Sequence, residues 1–271
     1  MFVNNWIQTN LYERFLDKTI DFNVVLKPHS IVEKTFDEEC DITCKMISKI
    51  NKKIYIGLSG GIDSEFVCEV FLRNQIDFIP IITCYPGNEE ERVFAFRYCE
   101  EKKLSPIIIE ISEKDILDCV WNTIVKKFNG MGMYSVGAIF ASNYADANNG
   151  VYVEAQHIVG DGDELIESFQ FYVSDHDFYS QVLNSQPVIL FFLHRLELPI
   201  SMIKGASNSF VNWMNYKHTV FKRPLRPKIR PSYSNRVKEI IELIFVNRKN
   251  KPKNKYFFGN KEETLKKLIV N

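Results

Sequence analysis

Apolar residues along the chain alternate between short runs and longer stretches with helical spacing. Residues 53–58, 77–84 and 106–111 are short runs rich in β-forming residues, which is typical of strands buried on both faces of a parallel sheet. A helical pattern follows each run, and a helix-start pattern at Thr35 places one more helix before the first. The alternation predicts an α/β fold with a doubly wound parallel sheet.

The later part of the chain has a different pattern. The segment Val151 to Val159 predicts a further strand that leads into a glycine- and acid-rich loop, and helical patterns dominate after residue 165. We expect helices at 187–196, 200–221 and 235–246. The predicted organisation is therefore a lead-in segment, an α/β domain and a helical C-terminal subdomain, at residues 1–50, 51–170 and 171–271.

Composition narrows the class of protein without indicating a partner. The chain has 45% hydrophobic and 25% charged residues, as in an ordinary globular protein. Basic and acidic residues number 34 each, so net charge gives no general reason to expect nucleic acid or an acidic membrane. The start of the chain lacks a secretory pattern, and its longest apolar run, 188–193, is too short to span a membrane. We expect a cytoplasmic protein with no membrane partner and with its six cysteines reduced.

The segment Ser59-Gly60-Gly61-Ile62-Asp63-Ser64 lies between a buried strand and a helix, and it has the residues of a phosphate-binding loop. Free N–H groups and the positive end of the helix dipole at such a position favour a polyphosphate. Two glycines let the backbone approach the phosphates closely, and the two serines add hydroxyl donors. Asp63 is suited to ligate a Mg²⁺ ion that bridges phosphate oxygens.

The loop fits neither a Walker A motif nor a dinucleotide fingerprint. Leu58 to Ser64 instead resembles the LSGG-[LI]-DS form of the SGG-x-DS signature of the PP-loop ATP pyrophosphatases, and it is most similar to the synthetase domain of asparagine synthetases. The resemblance implies a PP-loop, HUP-like fold with ATP and Mg²⁺ as cofactors. It also implies cleavage of ATP between the α- and β-phosphates, which yields AMP and pyrophosphate.

A second loop, Gly160-Asp161-Gly162-Asp163-Glu164-Leu165, resembles the family's G-[DE]-G-x-D-E-L-F loop, which lies against AMP and the metal–pyrophosphate. Here the loop is one residue shorter, and Ile166-Glu167-Ser168 replaces the Gly-Gly-Tyr that usually follows. The acid facing the metal is therefore either Asp161 or Asp163. We take Asp63 and Asp163 as metal ligands, with Gly160 and Asp161 contacting the nucleotide. A solvated acidic turn is the alternative reading.

A cation is also needed on the far side of the phosphates. Lys217 and the basic segment 222–230 are candidates, and this region resembles the family's C-terminal Lys/Arg-rich stretch. We choose Lys217, with Arg223 or Arg226 as replacements. The basic segment could equally be a solvated linker or a contact for RNA or a protein.

The expected activity is therefore that of an adenylating ligase with Asp63, Asp163 and Lys217 as its catalytic residues. By resemblance, the acceptor is a small molecule, expected to be a carboxylate, and an amine donor completes an amide. The family's full-length synthetases begin with a glutaminase domain whose cysteine follows Met1, but this chain has Phe2 there. Nitrogen would then come from free ammonia, another amine or a partner subunit. The alternatives are a PP-loop enzyme that modifies tRNA or a nucleobase, and a non-catalytic nucleotide-binding module.

Overall fold

The computed structural model describes residues 6–9, 23–28, 30, 32, 34–119, 136–155, 159–161, 168–172, 188–206, 213–222 and 255–269. The strands in chain order are β1 (Ile7–Thr9), β2 (Val24–Leu26), β3 (Lys53–Gly57), β4 (Ile79–Cys84), β5 (Ile107–Glu110), β6 (Gly150–Glu154), β7 (Val159–Asp161), β8 (Ser168–Tyr172), β9 (Ile189–Leu190) and β10 (Lys255–Gly259). The helices are α1 (Phe36–Ser48), α2 (Ile62–Arg73), α3 (Glu89–Lys102), α4 (Glu113–Cys119), α5 (Val136–Ala147), α6 (Glu197–Gly205), α7 (Trp213–Val220) and α8 (Lys261–Leu268), and Phe191–Leu193 form a 3₁₀ turn.

The central sheet is parallel and has the strand order β5-β4-β3-β6-β9. From β3 the chain adds β4 and β5 on one side and then places β6 and β9 on the other, with helices flanking the sheet. The doubly wound α/β fold expected from the sequence is confirmed. The direction of winding reverses between β3 and β6, and the crevice beyond the carboxyl ends of strands at such a point is where open α/β sheets bind ligands.

The strand expected over Val151 to Val159 is wrong in its extent. β6 ends at Glu154, and residues 159–161 form β7, which pairs with β8 in a separate antiparallel sheet of order β10-β8-β7. Val151 to Val153 and Val159 are apolar, and the sequence alone gave no sign that they belong to different sheets. Gly160 and Asp161 therefore lie in a strand of the smaller sheet and not in a loop at the end of the parallel one.

The C-terminal part contains the helices α6, α7 and α8, together with strands that helical spacing did not predict. Ile189 and Leu190, expected to be helical, pair with Val153 and Glu154 and so extend the parallel sheet. The single helix expected at 200–221 is replaced by α6 and α7. The helix expected at 235–246 lies outside the described residues, and the proposed domain boundaries remain predictions.

A group of aromatic rings joins the N-terminal helix, the helix after the loop and the C-terminal part. Phe36 of α1, Phe66 of α2, Phe192 and Phe221 stack on one another, with the Phe66 and Phe221 centroids 4.3 Å apart. The helix α1, whose first residue is Phe36, has the expected N-cap at Thr35, and Thr35 forms a capping box with Glu38. Stacked rings bury large apolar areas, so this group holds Phe221, the residue after α7, against the helix that follows the loop.

The six cysteines are free thiols, five of them buried. Burial raises the pKa of Cys44 to about 12 and that of Cys99 to about 11, so these thiols stay protonated at neutral pH. Among the helices that the structure describes, none has both the length and the apolar character required to cross a membrane.

Candidate functional site

The loop between β3 and α2 lies at the carboxyl end of the middle strand of the sheet. Leu58 is buried, and its backbone N–H donates to Ile81 of β4, which ties the start of the loop to the sheet. Gly61 is the N-cap of α2 and provides no side-chain acceptor for the first turn. An α-helix leaves its first N–H groups without intrahelical acceptors, so this terminus can bind an anion.

The two glycines of the loop differ in their surroundings. Gly60 has a φ of 89°, in the left-handed region, and a Cβ there would lie 2.4 Å from the carbonyl oxygen of Glu91 and 3.1 Å from the Ala95 nitrogen. Gly61 has a φ of −77° and a ψ of 152°, which any residue can adopt. A Cβ at Gly61 would meet only the Ser59 Oγ, at 3.3 Å. Gly60 is thus required by the fold, whereas a Cβ at Gly61 would press only on the Ser59 hydroxyl.

The serines of the motif hold the loop in shape. The Ser64 hydroxyl donates to the Gly61 carbonyl oxygen at 2.9 Å, and its oxygen accepts from the Ser59 N–H at 3.3 Å. The Ser59 hydroxyl oxygen accepts from the Gly61 N–H at 3.2 Å. These hydroxyls were expected to donate to phosphates, and in this structure they bond within the loop.

An ion pair connects the loop to the C-terminal part of the chain. The Lys217 Nζ of α7 donates to both carboxylate oxygens of Asp63, at 2.8 and 3.0 Å. The side chains are 5% and 27% exposed, respectively. We expected Lys217 across the phosphates from Asp63, but the two groups are in direct contact. A buried ammonium requires an opposite charge close by, and Asp63 provides it.

Beside the loop is a crevice of about 250 Å³, lined by residues at the carboxyl ends of β3, β4 and β6 and at the start of α5. Asp63 and Glu154 both line it. Tyr152 is buried nearby; burial raises the pKa of its phenol well above the usual value, and the neighbouring Glu154 charge raises it further. Gly57 makes room for this ring, because a Cβ there would lie 2.1 Å from the Tyr152 hydroxyl.

Glu154 was missed by the sequence analysis. It is the last residue of β6, at the carboxyl end of the strand next to β3, so the sheet itself brings it to the crevice that Asp63 lines. The available signal was an acid that directly follows the apolar residues Val151 to Val153. Open α/β sheets bind ligands at these strand ends, so an acid at the last position of such a strand is a candidate site residue.

The other site residues predicted from the sequence either lie outside the described residues or belong to β7. Asp163 lies outside the described residues, as do residues 223–230 of the basic segment. Gly160 and Asp161 lie in β7, which contacts α7, the helix that carries Lys217. No described group of three or more His, Cys, Asp or Glu side chains could hold a metal ion by itself. A Mg²⁺ ion is commonly bound by one or two carboxylates together with substrate phosphates, and Asp63 and Glu154 fit that arrangement.

The fold and the site define a parallel α/β protein with a glycine-containing loop at the switch point of its sheet. The sequence matches no protein-family model and no curated protein. Among solved structures it is similar to an NH3-dependent NAD synthetase from Campylobacter jejuni, with 22% identity over 46% of this chain and a TM-score of 0.33. The chain spans 58% of that protein's length.

Two other structures are matched over most of their length. They are an NMN synthetase from Francisella tularensis and an NAD+ synthetase from Burkholderia pseudomallei. The first is 13% identical over 80% of this chain and 95% of its own, with a TM-score of 0.39. The second is 12% identical over 81% of this chain and 94% of its own, with a TM-score of 0.35. Because the identities and TM-scores are this low, a function for this chain has to be argued from the geometry of the site and not from the similarity.

Proposed function

We propose that the chain is an ATP- and Mg²⁺-dependent adenylating ligase of the PP-loop type, which cleaves ATP to AMP and pyrophosphate and forms an amide. The observation that carries this proposal is the loop itself. A helix N-terminus without a side-chain cap, the extended glycine Gly61 and the Asp63–Lys217 pair meet at the switch point of the sheet. Together they offer N–H donors, space and a cation to a polyphosphate.

The phosphates of ATP would lie on the backbone of Gly60 and Gly61 and at the start of α2. Asp63 would hold Mg²⁺ from one side, with Glu154, or Asp163 as the sequence suggested, as the second carboxylate. Bound Mg²⁺ would neutralise charge on the leaving pyrophosphate. Lys217 adds a second cation whose ammonium is already fixed 2.8 Å from the loop's carboxylate.

In the reaction, a carboxylate oxygen of the acceptor attacks the α-phosphorus, and the bond from that phosphorus to the bridging oxygen of the pyrophosphate breaks. The amine donor then attacks the acyl carbon, AMP leaves with the acyl oxygen, and the amine loses a proton to solvent. Lys217 contributes to the first step, because negative charge gathers on pyrophosphate as the bond breaks. Asparagine synthetase-like amide formation, from ammonia or another amine, is the form of this chemistry that the motif resemblance favours.

One observation supports a second candidate, an enzyme that modifies tRNA or a nucleobase. Lys222, the first residue of the basic segment, is 81% exposed, and its Nζ lies 3.5 Å from the Asp37 carboxylate. An exposed cation is what a phosphate backbone would contact. A stripe of such residues over 222–230 would favour RNA as the acceptor.

The products of ATP cleavage test the proposal. The chain is incubated with ATP, Mg²⁺ and ammonia, together with panels of amino acids, sugar acids or tRNA. We expect it to release AMP and pyrophosphate in equal amounts with one class of acceptor. Chromatography of the nucleotides and a coupled pyrophosphate assay measure this. Release of ADP would show that the assignment is wrong. ATP binding without turnover for any acceptor would favour the non-catalytic module.

The role of Asp63 gives a quantitative prediction. Asp63→Asn is expected to weaken binding of ATP in the presence of Mg²⁺ by about tenfold or more, because a neutral amide is a poor ligand for a hard cation. Calorimetry with Mg²⁺ and with EDTA separates the metal from the phosphates, since the Mg²⁺-dependent gain should disappear, and thermal unfolding checks that the chain stays folded when the Lys217 ammonium loses its carboxylate partner. Asp118→Asn, which removes a surface carboxylate paired with Lys114, is the control. Equal losses with and without Mg²⁺ would remove Asp63 as a metal ligand.

A further inference from the structure

Tyr152 of β6 places a phenol hydroxyl at the floor of the crevice beside the loop. The residue lines the crevice and is 6% exposed. It pairs in register with Tyr55 of β3, but its hydroxyl lies against Gly57, two positions further along that strand. Two strand residues span about 6.6 Å. The ring of Tyr152 therefore leans toward the carboxyl edge of the sheet, where the loop begins.

This hydroxyl is a donor without an acceptor. In the part of the chain that the structure describes, it forms no hydrogen bond. A tyrosine hydroxyl is protonated at neutral pH and can donate one hydrogen bond. A buried donor without an acceptor is unfavourable, and such groups call for a partner. Tyr152 and Gly57 both line the crevice, so a ligand in the crevice can supply that partner.

The charges of the crevice indicate which part of a ligand needs this donor. Among the described residues that line it, the charged ones are Asp63 and Glu154, and both are acids. A phosphate oxygen at the floor of the crevice would therefore meet no lining cation there, and a neutral hydroxyl is the donor that it can use. A hydrogen bond to an ionised acceptor is also stronger than one to a neutral acceptor.

The position of the hydroxyl along the loop indicates which phosphate it meets. With the terminal phosphates of ATP on the backbone of Gly60 and Gly61, the nucleoside has to extend into the crevice beyond the strand ends. The α-phosphate joins these two parts of the nucleotide. Gly57 directly precedes Leu58, where the loop begins, so the Tyr152 hydroxyl lies on the side of the loop that faces the crevice.

We propose that the Tyr152 hydroxyl donates a hydrogen bond to a nonbridging oxygen of the α-phosphate of ATP, and that it keeps this contact with AMP after pyrophosphate has left. This inference rests on the proposed function and adds a substrate-contacting residue to it. The contact holds the phosphorus that the acceptor attacks, whereas Lys217 acts on the leaving pyrophosphate.

Four probes test the contact in Tyr152→Phe: ATP, AMP, adenosine and inorganic pyrophosphate, each titrated by calorimetry in the same Mg²⁺ buffer. ATP and AMP are expected to bind about tenfold more weakly than to wild type, as the loss of a hydrogen bond to a charged group predicts. Pyrophosphate and adenosine, which lack the α-phosphate, should keep their affinity. Thermal unfolding should be unchanged, because the hydroxyl bonds to no group in the described part of the chain.

Tyr55→Phe is the matched control. Tyr55 is 3% exposed and is the register partner of Tyr152, so both rings lie on the same face of the sheet, but Tyr55 does not line the crevice. Its variant should bind all four probes as wild type does.

The outcomes separate this contact from the ligase proposal. Wild-type affinity for ATP and AMP in Tyr152→Phe would overturn the contact and leave the ligase proposal standing. An equal loss for pyrophosphate, or in Tyr55→Phe, would show a general change of the site and also overturn the contact. An equal loss for adenosine would move the hydrogen bond to the nucleoside. A wild-type chain that binds neither ATP nor AMP would overturn both proposals.

Discussion

Gly61→Val is expected to abolish detectable ATP binding while the chain keeps its fold. The backbone of Gly61 is already extended, and its Cβ position meets only the Ser59 Oγ, at 3.3 Å, so the ligand-free loop has to move that hydroxyl by a few tenths of an ångström to admit a side chain. The same side chain would occupy the space into which a phosphate must come to reach the backbone N–H groups. Calorimetry should show at least a hundredfold loss of affinity, about 2.7 kcal/mol.

Gly60→Ala provides the contrast for this result. It places a Cβ at a positive φ and against the backbone of α3, so the free energy of unfolding should fall by about 1–3 kcal/mol in urea titrations. The Gly61 variant should lose less stability than the Gly60 variant, because its backbone is not strained and only the Ser59 hydroxyl has to move. ATP affinity that is the same in wild type and Gly61→Val would rule out phosphate binding on this loop.

Lys217→Met is expected to lower turnover about 10²- to 10³-fold with little change in ATP affinity. Loss of a preorganised charge that acts mainly in the transition state has an effect of this size. Methionine keeps the apolar stem of the buried lysine, so the contacts of α7 are retained. Asp63 is partly exposed, and water can solvate its carboxylate after the ammonium is removed. Single-turnover release of pyrophosphate and equilibrium ATP binding measure the two quantities separately.

The control for this variant is Lys222→Met, which removes an exposed cation two residues after the end of α7. Its turnover should remain within about twofold of wild type, because exposed charges contribute little. If both variants lose turnover equally, the effect is one of general positive charge. If Lys217→Met keeps full turnover, the cation of the reaction has to be another residue, with Arg223 and Arg226 the next candidates.

The loop and its setting could be predicted because each part has a local cause. The run before the motif is apolar on both faces, the glycines mark a turn, and the residues after it recur at helical spacing. These features do not depend on distant parts of the chain. The structure has the strand, loop and helix at Lys53–Gly57, residues 58–61 and Ile62–Arg73.

The end of β6 could not be predicted from local pattern. Val153 and Val159 are both apolar β-forming residues, and only the strands with which they pair decide that Glu154 ends a strand of one sheet and Val159 begins a strand of another. Ile189 and Leu190 form a strand for the same reason, since they complete the edge of the sheet beside β6. The acid at the end of β6 was therefore overlooked, and Asp163 remains a prediction from the motif alone.

The Asp63–Lys217 pair joins residues 154 positions apart. During synthesis on the ribosome, α2 and its loop emerge long before α7, so the loop must pass through a period in which its carboxylate has no ammonium beside it. Contacts of such high sequence separation form late, after the local elements. A chain that ended at residue 216 would thus contain the glycine loop and all five strands of the parallel sheet but would lack the cation proposed for turnover.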